Sequence, residues 1–182
     1  MNYFSLTFHF PVVQQLLRHP NVSSFLFFYF FLFLPLRAAP IAAQPSYQQI
    51  VDSLGQTLPS IQTPLRKVDV LNEIAYTYRR ISGDSTLKYA KLANQLATLH
   101  NYVGGQSIAH KNMGIGHYKL NSPKDSMVFH YKKAIRLAQE VGDYYTQAAC
   151  NNNIAVLSSH FENPYEAIKH YLRGIEIFNQ HI

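Results

Sequence analysis

The chain has no tryptophan and a single cysteine, Cys150, among its 182 residues. One thiol cannot close an internal disulfide, and with no CxxC pair the common thiolate metal frameworks are excluded. Acid is scarce too, with ten Asp and Glu in all and none before Asp52. Carboxylates spread so thinly offer no pair to share general acid and base work. Nine histidines are present, but there is no HExxH motif. His110 and His117 stand two turns apart on one helical pattern, and the others are scattered. Gly114 and Gly116 flank Ile115 inside a helical pattern with no strand before it, so they form no dinucleotide loop. No strand-like alternation appears after residue 46. The chain is therefore expected to be all-α and non-catalytic, with no cofactor and no metal; an exported helical enzyme or metal-binding protein is the alternative.

What is there divides sharply. Nine of the twelve Phe precede residue 34, whereas eleven of the thirteen Tyr follow residue 46. The run from Ser23 to Leu36 has an apolar core about a dozen residues long, short of the roughly 20 that a bilayer-spanning helix needs. Small residues follow it at Ala38, Ala39, Ala42 and Ala43. This is the pattern of a secretory signal over residues 1–43, cleaved after Ala43 or, second, after Ala39. The stretch ahead of it is long for a signal, and Arg37 interrupts its tail; an uncleaved anchor or a buried core helix is the competing reading. Without residues 1–43, fourteen basic residues face ten acidic ones. They are dispersed and carry no aromatic–basic platform, so no nucleic-acid partner is expected. Export to the periplasm or cell envelope is, with the membrane met only through the signal segment or a later span.

The remainder reads as helices between capped turns. Residues 44–63 hold a short helix, 46–54, stopped by Gly55, and a linker. Thr63 and Pro64 then open a helix to about Ile81, with Leu65, Val68, Leu71, Ile74, Ala75 and Tyr78 on one face. Gly83 is read as a left-handed stop. The next helix carries Leu87, Ala90, Leu92, Ala93 and Leu96, and Tyr102 to Gly105 break it. Ile108, Met113, Gly114 and His117 lie on a helix ending near Asn121, with Ser122 as cap and Pro123 as first residue of its successor. That successor holds Met127, Tyr131, Ala134, Ile135 and Leu137 and ends at Gly142 and Asp143. Asn163 and Pro164 start the last helix. In its helical run of small residues, Cys150 reads as a buried structural thiol.

The spacing repeats. Ala90, Tyr131 and Tyr171 are separated by 41 and 40 residues; Ala93, Ala134 and Gly174 by 41 and 40; Ala75, Gly114 and Ala155 by 39 and 41. With Ala167, these small residues mark positions where two helices touch, and the Tyr rings fill the space beside them. A fixed period of this size marks a helical solenoid, here about three units over 64–103, 104–142 and 143–182.

The units resemble tetratricopeptide repeats. That family's Leu-Gly pair in the first helix is matched by Ile74-Ala75, Met113-Gly114 and Ile154-Ala155; its Tyr is matched by Tyr78 but replaced by His117 and Ser158. Its second-helix trio is matched by Thr86, Ala90, Ala93; by Met127, Tyr131, Ala134; and by Ala167, Tyr171, Gly174. The period exceeds the family's usual 34, and the aromatic expected near each repeat's start is missing. Long repeats behind a secretion signal are similar to the N-terminal ectodomains of Bacteroidetes-type sensors, which lead into a histidine kinase or transcriptional regulator. The resemblance implies a right-handed α-solenoid and a role in protein–protein interaction and signal transduction, as the N-terminal part of a longer chain. The apolar 175–178 segment is accordingly expected to lie uncovered.

It also implies a concave groove lined by first helices. The alignment puts Asn72, Tyr76, Arg79, Lys111, Tyr118, Lys119 and Asn152 in it, together with Asp69, Arg80, Ile108, Ile115, Val156, Ser159 and His160. Amide, aromatic and basic groups there suit an extended peptide backbone or an acidic terminus. The same cations equally suit the negative ends of helices.

Overall fold

A computed structural model describes residues 45–161 and 163–181; the expected export signal lies outside them. They form seven α-helices: α1 (Tyr47–Thr57), α2 (Pro64–Tyr78), α3 (Gly83–Leu99), α4 (Val103–Lys119), α5 (Lys124–Glu140), α6 (Tyr144–His160) and α7 (Pro164–His181), with a 3-10 turn at Leu58–Ser60. No strand occurs among the described residues.

Local chemistry sets the ends. Ser46 Oγ accepts from Gln49 N at 3.2 Å and Gln49 Oε1 accepts from Ser46 N at 2.7 Å, a reciprocal box that starts α1. Gly55, read as its stop, lies inside it. Pro64 opens α2 as expected, although Thr63 makes no side-chain capping bond, and α2 ends at Tyr78 rather than Ile81. Gly83 is no left-handed stop: it is the first residue of α3, behind Ser82, whose hydroxyl accepts from Ser85 N. A Cβ on Gly83 would come within 2.9 Å of Leu120, so close approach calls for glycine there.

The turns after α3, α4 and α5 each use one left-handed residue: Asn101 (φ 51°), Asn121 (φ 50°) and Gly142 (φ 68°). Asparagine tolerates that region better than most residues. Hence the break expected at Tyr102 to Gly105 falls earlier, and both glycines belong to α4. Ser122 does not cap α5, which starts at Lys124; its hydroxyl lies 3.0 Å from His117 Nδ1. Asp143 and Asn163 do cap α6 and α7, accepting from Thr146 N and Glu166 N.

Each helix packs chiefly on its neighbours in sequence, while α2 also meets α4, and α4 meets α6. The cores are correspondingly successive. Val51, Val70 and Ile74 join α1 to α2; Ala75, Ala90 and Met113 join α2, α3 and α4; Met127, Tyr131, Ala134, Cys150, Ile154 and Leu157 join α5 to α6. Ala75, Ala90, Ala93, Ala134 and Ala155 are fully buried, and Ala167 nearly so. Leu65 and Leu92, expected on buried faces, are exposed.

Tyr131 is 3% exposed and lies so close to Gly114 that a Cβ there would stand 2.5 Å from its ring. Tyr171, expected to be wedged in the same way, is 38% exposed. It meets α6 on one side, and among the described residues no helix lies beyond α7. Of the segment expected to be uncovered, Ile175 and Phe178 are exposed, whereas Ile177 is buried. No helix among the described residues is long and apolar enough to cross a membrane.

Candidate peptide-binding groove

Where α2, α4 and α6 lie side by side, a cavity of about 270 Å³ opens, lined by Tyr76, Arg79 and Arg80 at the end of α2 and by Lys111, Ile115, Tyr118 and Lys119 of α4. Tyr131 of α5 and Tyr145, Ala149 and Asn153 of α6 complete the wall. Five of the seven residues singled out for the groove are therefore brought together: Tyr76, Arg79, Lys111, Tyr118 and Lys119. The spacing explains this. Lys111, Ile115, Tyr118 and Lys119 recur at three, four and seven residues, one face of a helix.

Four cations and four tyrosines share this wall, and none of its lining residues is acidic. Lys111 is only 8% exposed. Its ammonium stands 5.7 Å from the Tyr76 ring centre and 5.5 Å from that of Tyr145, and the Arg79 guanidinium lies 4.1 Å over Tyr76. Ring faces attract such cations without neutralising them. Arg79 Nε is buried with no hydrogen-bond partner among the described residues, where the ion pairs all lie on α7. The wall is thus a partly desolvated cationic surface, favourable to a carboxylate that can reach both guanidinium and ammonium donors.

Two of the seven expected residues do not belong to it. Asn72 is buried, its side-chain amide donating to Gly105 O at 3.0 Å, while its backbone carbonyl accepts from Asn112 Nδ2 at 3.0 Å. It ties α2 to α4, where both partners lie, because a buried amide needs hydrogen-bond partners. Asn152 faces α7, beside Tyr171, Gly174 and Phe178, across a separate cavity of about 430 Å³. Asp69, also expected in the groove, accepts from the Tyr102 hydroxyl at 3.0 Å. Ile108, Val156, Ser159 and His160 do not line it either, although the His160 ring stands edge-on to Tyr118. From α6 the cavity receives Tyr145, Ala149 and Asn153, spaced by four, rather than the face that carries Asn152 and Val156. That spacing was present in the sequence as the only signal for them.

A second cluster lies on α4 and α5. His110 and His117 of α4 flank His130 of α5, with ring centres 5.2 Å apart on both sides and interplanar angles of 24° and 11°. His110 Nδ1 and His130 Nδ1 are 3.0 Å apart, and His110 Nε2 is buried without a partner among the described residues. Burial, seconded by cations and the neighbouring ring, pushes His110 down to about 4; burial and the adjacent His117 do the same for His130. No group of three or more His, Cys, Asp or Glu side chains among the described residues is arranged to hold a metal ion. Cys150 is buried, and its thiol is pushed up to about 12, chiefly by desolvation, which leaves it inert near neutral pH.

No family model and no curated protein matches the chain.

Proposed function

We propose that this chain is an exported, tetratricopeptide-like scaffold of about three repeats, wound as a right-handed solenoid, whose α2–α4–α6 groove holds an acidic extended peptide or acidic chain terminus. In this reading it is the sensing part of a longer signalling protein and performs no catalysis. The observation that carries the ligand class is the convergence of Arg79, Arg80, Lys111 and Lys119 with four tyrosines on one wall without a carboxylate. Repeat proteins bury each unit against the next and leave one face of the stack open, and the neighbour-to-neighbour packing from α1 to α7 supports that arrangement.

Fluorescence polarisation tests it, with a labelled peptide rich in Asp and Glu and a basic peptide of equal length. The acidic peptide should bind and the basic one should not. Arg80→Glu and Lys119→Glu change exposed side chains and should each weaken binding about 10- to 100-fold, the worth of a charge-assisted hydrogen bond. Circular dichroism should be unchanged. Equal binding of both peptides, or variants that bind like wild type, would refute the assignment.

A further inference from the structure

We propose that His110, His117 and His130 form an acid-released latch that fastens α4 to α5. Its basis is geometric. Two imidazoles whose Nδ1 atoms stand 3.0 Å apart can share one hydrogen, with one ring donating and the other accepting. When both are protonated, both nitrogens are donors, and two cations meet at hydrogen-bond distance. The third ring, His117, stacks on His130 from the far side and would add a further charge.

Among the described residues nothing around the stack offsets that charge. The charged groups acting on it are Lys91 from α3 and Lys133 and Arg136 from α5; none comes from α2 or α6. His110 Nε2 is buried without a partner among the described residues, so a proton added to that ring finds no acceptor there. Ser122 is a further polar neighbour, its hydroxyl 3.0 Å from His117 Nδ1.

The consequence has a definite sign. In the folded chain His110 and His130 titrate near 4, below the ordinary 6.5 of a solvated histidine. The unfolded chain therefore takes up protons that the fold excludes. The contribution is complete above pH 6.5 and is lost as pH falls from there towards 4. Resting on the groove reading, the latch would also couple acid to ligand release, since α4 and α5 supply five of the groove's lining residues.

Urea unfolding of the protein recovered from its expressing cells, at about pH 7.5 and about pH 5, tests the latch. Linkage predicts an unfolding constant about 30-fold larger per histidine at the lower pH. His130→Phe keeps a stacked ring that cannot be protonated, and it should remove at least that factor from the pH dependence. His130→Gln serves as a second non-titrating variant should the phenylalanine fail to fold. Equal acid losses in wild type and variant would overturn the latch. An acidic peptide that fails to bind at about pH 7.5 would instead sink the groove reading, so the two failures are distinguishable.

Discussion

By spacing, Tyr131 and Tyr171 hold the same position in consecutive helix pairs, and each is followed three residues later by a small residue, Ala134 or Gly174. Their surroundings differ. Tyr131 lies within the Met127–Cys150–Ile154–Leu157 core with Gly114 against its ring. Tyr171 borders an open cavity with Ile175 and Phe178. The glycines differ likewise: a Cβ on Gly114 would meet the Tyr131 ring at 2.5 Å, whereas one on Gly174 would meet nothing nearer than Ala148 O at 3.4 Å. A repeat position sets which way a side chain points, and the next helix decides whether it is buried. Where each helix packs chiefly on its neighbours in sequence, equal sequence does not confer equal energy.

Substitutions should separate the two regions in a definite order. Tyr131→Ala removes a ring packed on both sides and should cost about 3–5 kcal/mol by urea unfolding. Gly114→Ala forces a methyl into that same ring and should cost about 1–3 kcal/mol despite the better helix propensity of alanine. Tyr171→Ala, at a site 38% exposed, should cost about 1–2 kcal/mol, since less apolar area is lost from the core. Gly174→Ala should be neutral or stabilise by up to about 1 kcal/mol, because its methyl has room and alanine favours the helix. A Tyr171→Ala loss as large as that of Tyr131→Ala would erase the distinction. So would a Gly174→Ala loss matching that of Gly114→Ala.

Much of this was legible in the residues. Asn163 and Pro164 announced their helix, Gly142 its turn, and the small residues at Ala75, Ala90, Ala134 and Ala155 their buried contacts, because caps and close approaches are local demands. The left-handed turns at Asn101 and Asn121 were not read, because asparagine adopts that conformation only where the chain requires it. Gly83 misled for the opposite reason: it meets a crowding demand from Leu120, a contact 37 positions away. The cavity wall was legible where a face could be counted along one helix, as from Lys111 to Lys119. It failed at Asn72, whose partners lie on α4, and at Asn152, where the repeat alignment picked the wrong face. The histidine stack depends on where α5 lies against α4, which no spacing within either helix reveals.

Whether stability passes from helix to helix through neighbours can be read from amide hydrogen exchange resolved by helix near pH 7.5, above the range in which His110 and His130 titrate. Protection should be greatest in α4, α5 and α6, which are covered on both sides, and exchange earliest in α7 and α1. Protection of α7 equal to that of α5 would contradict it.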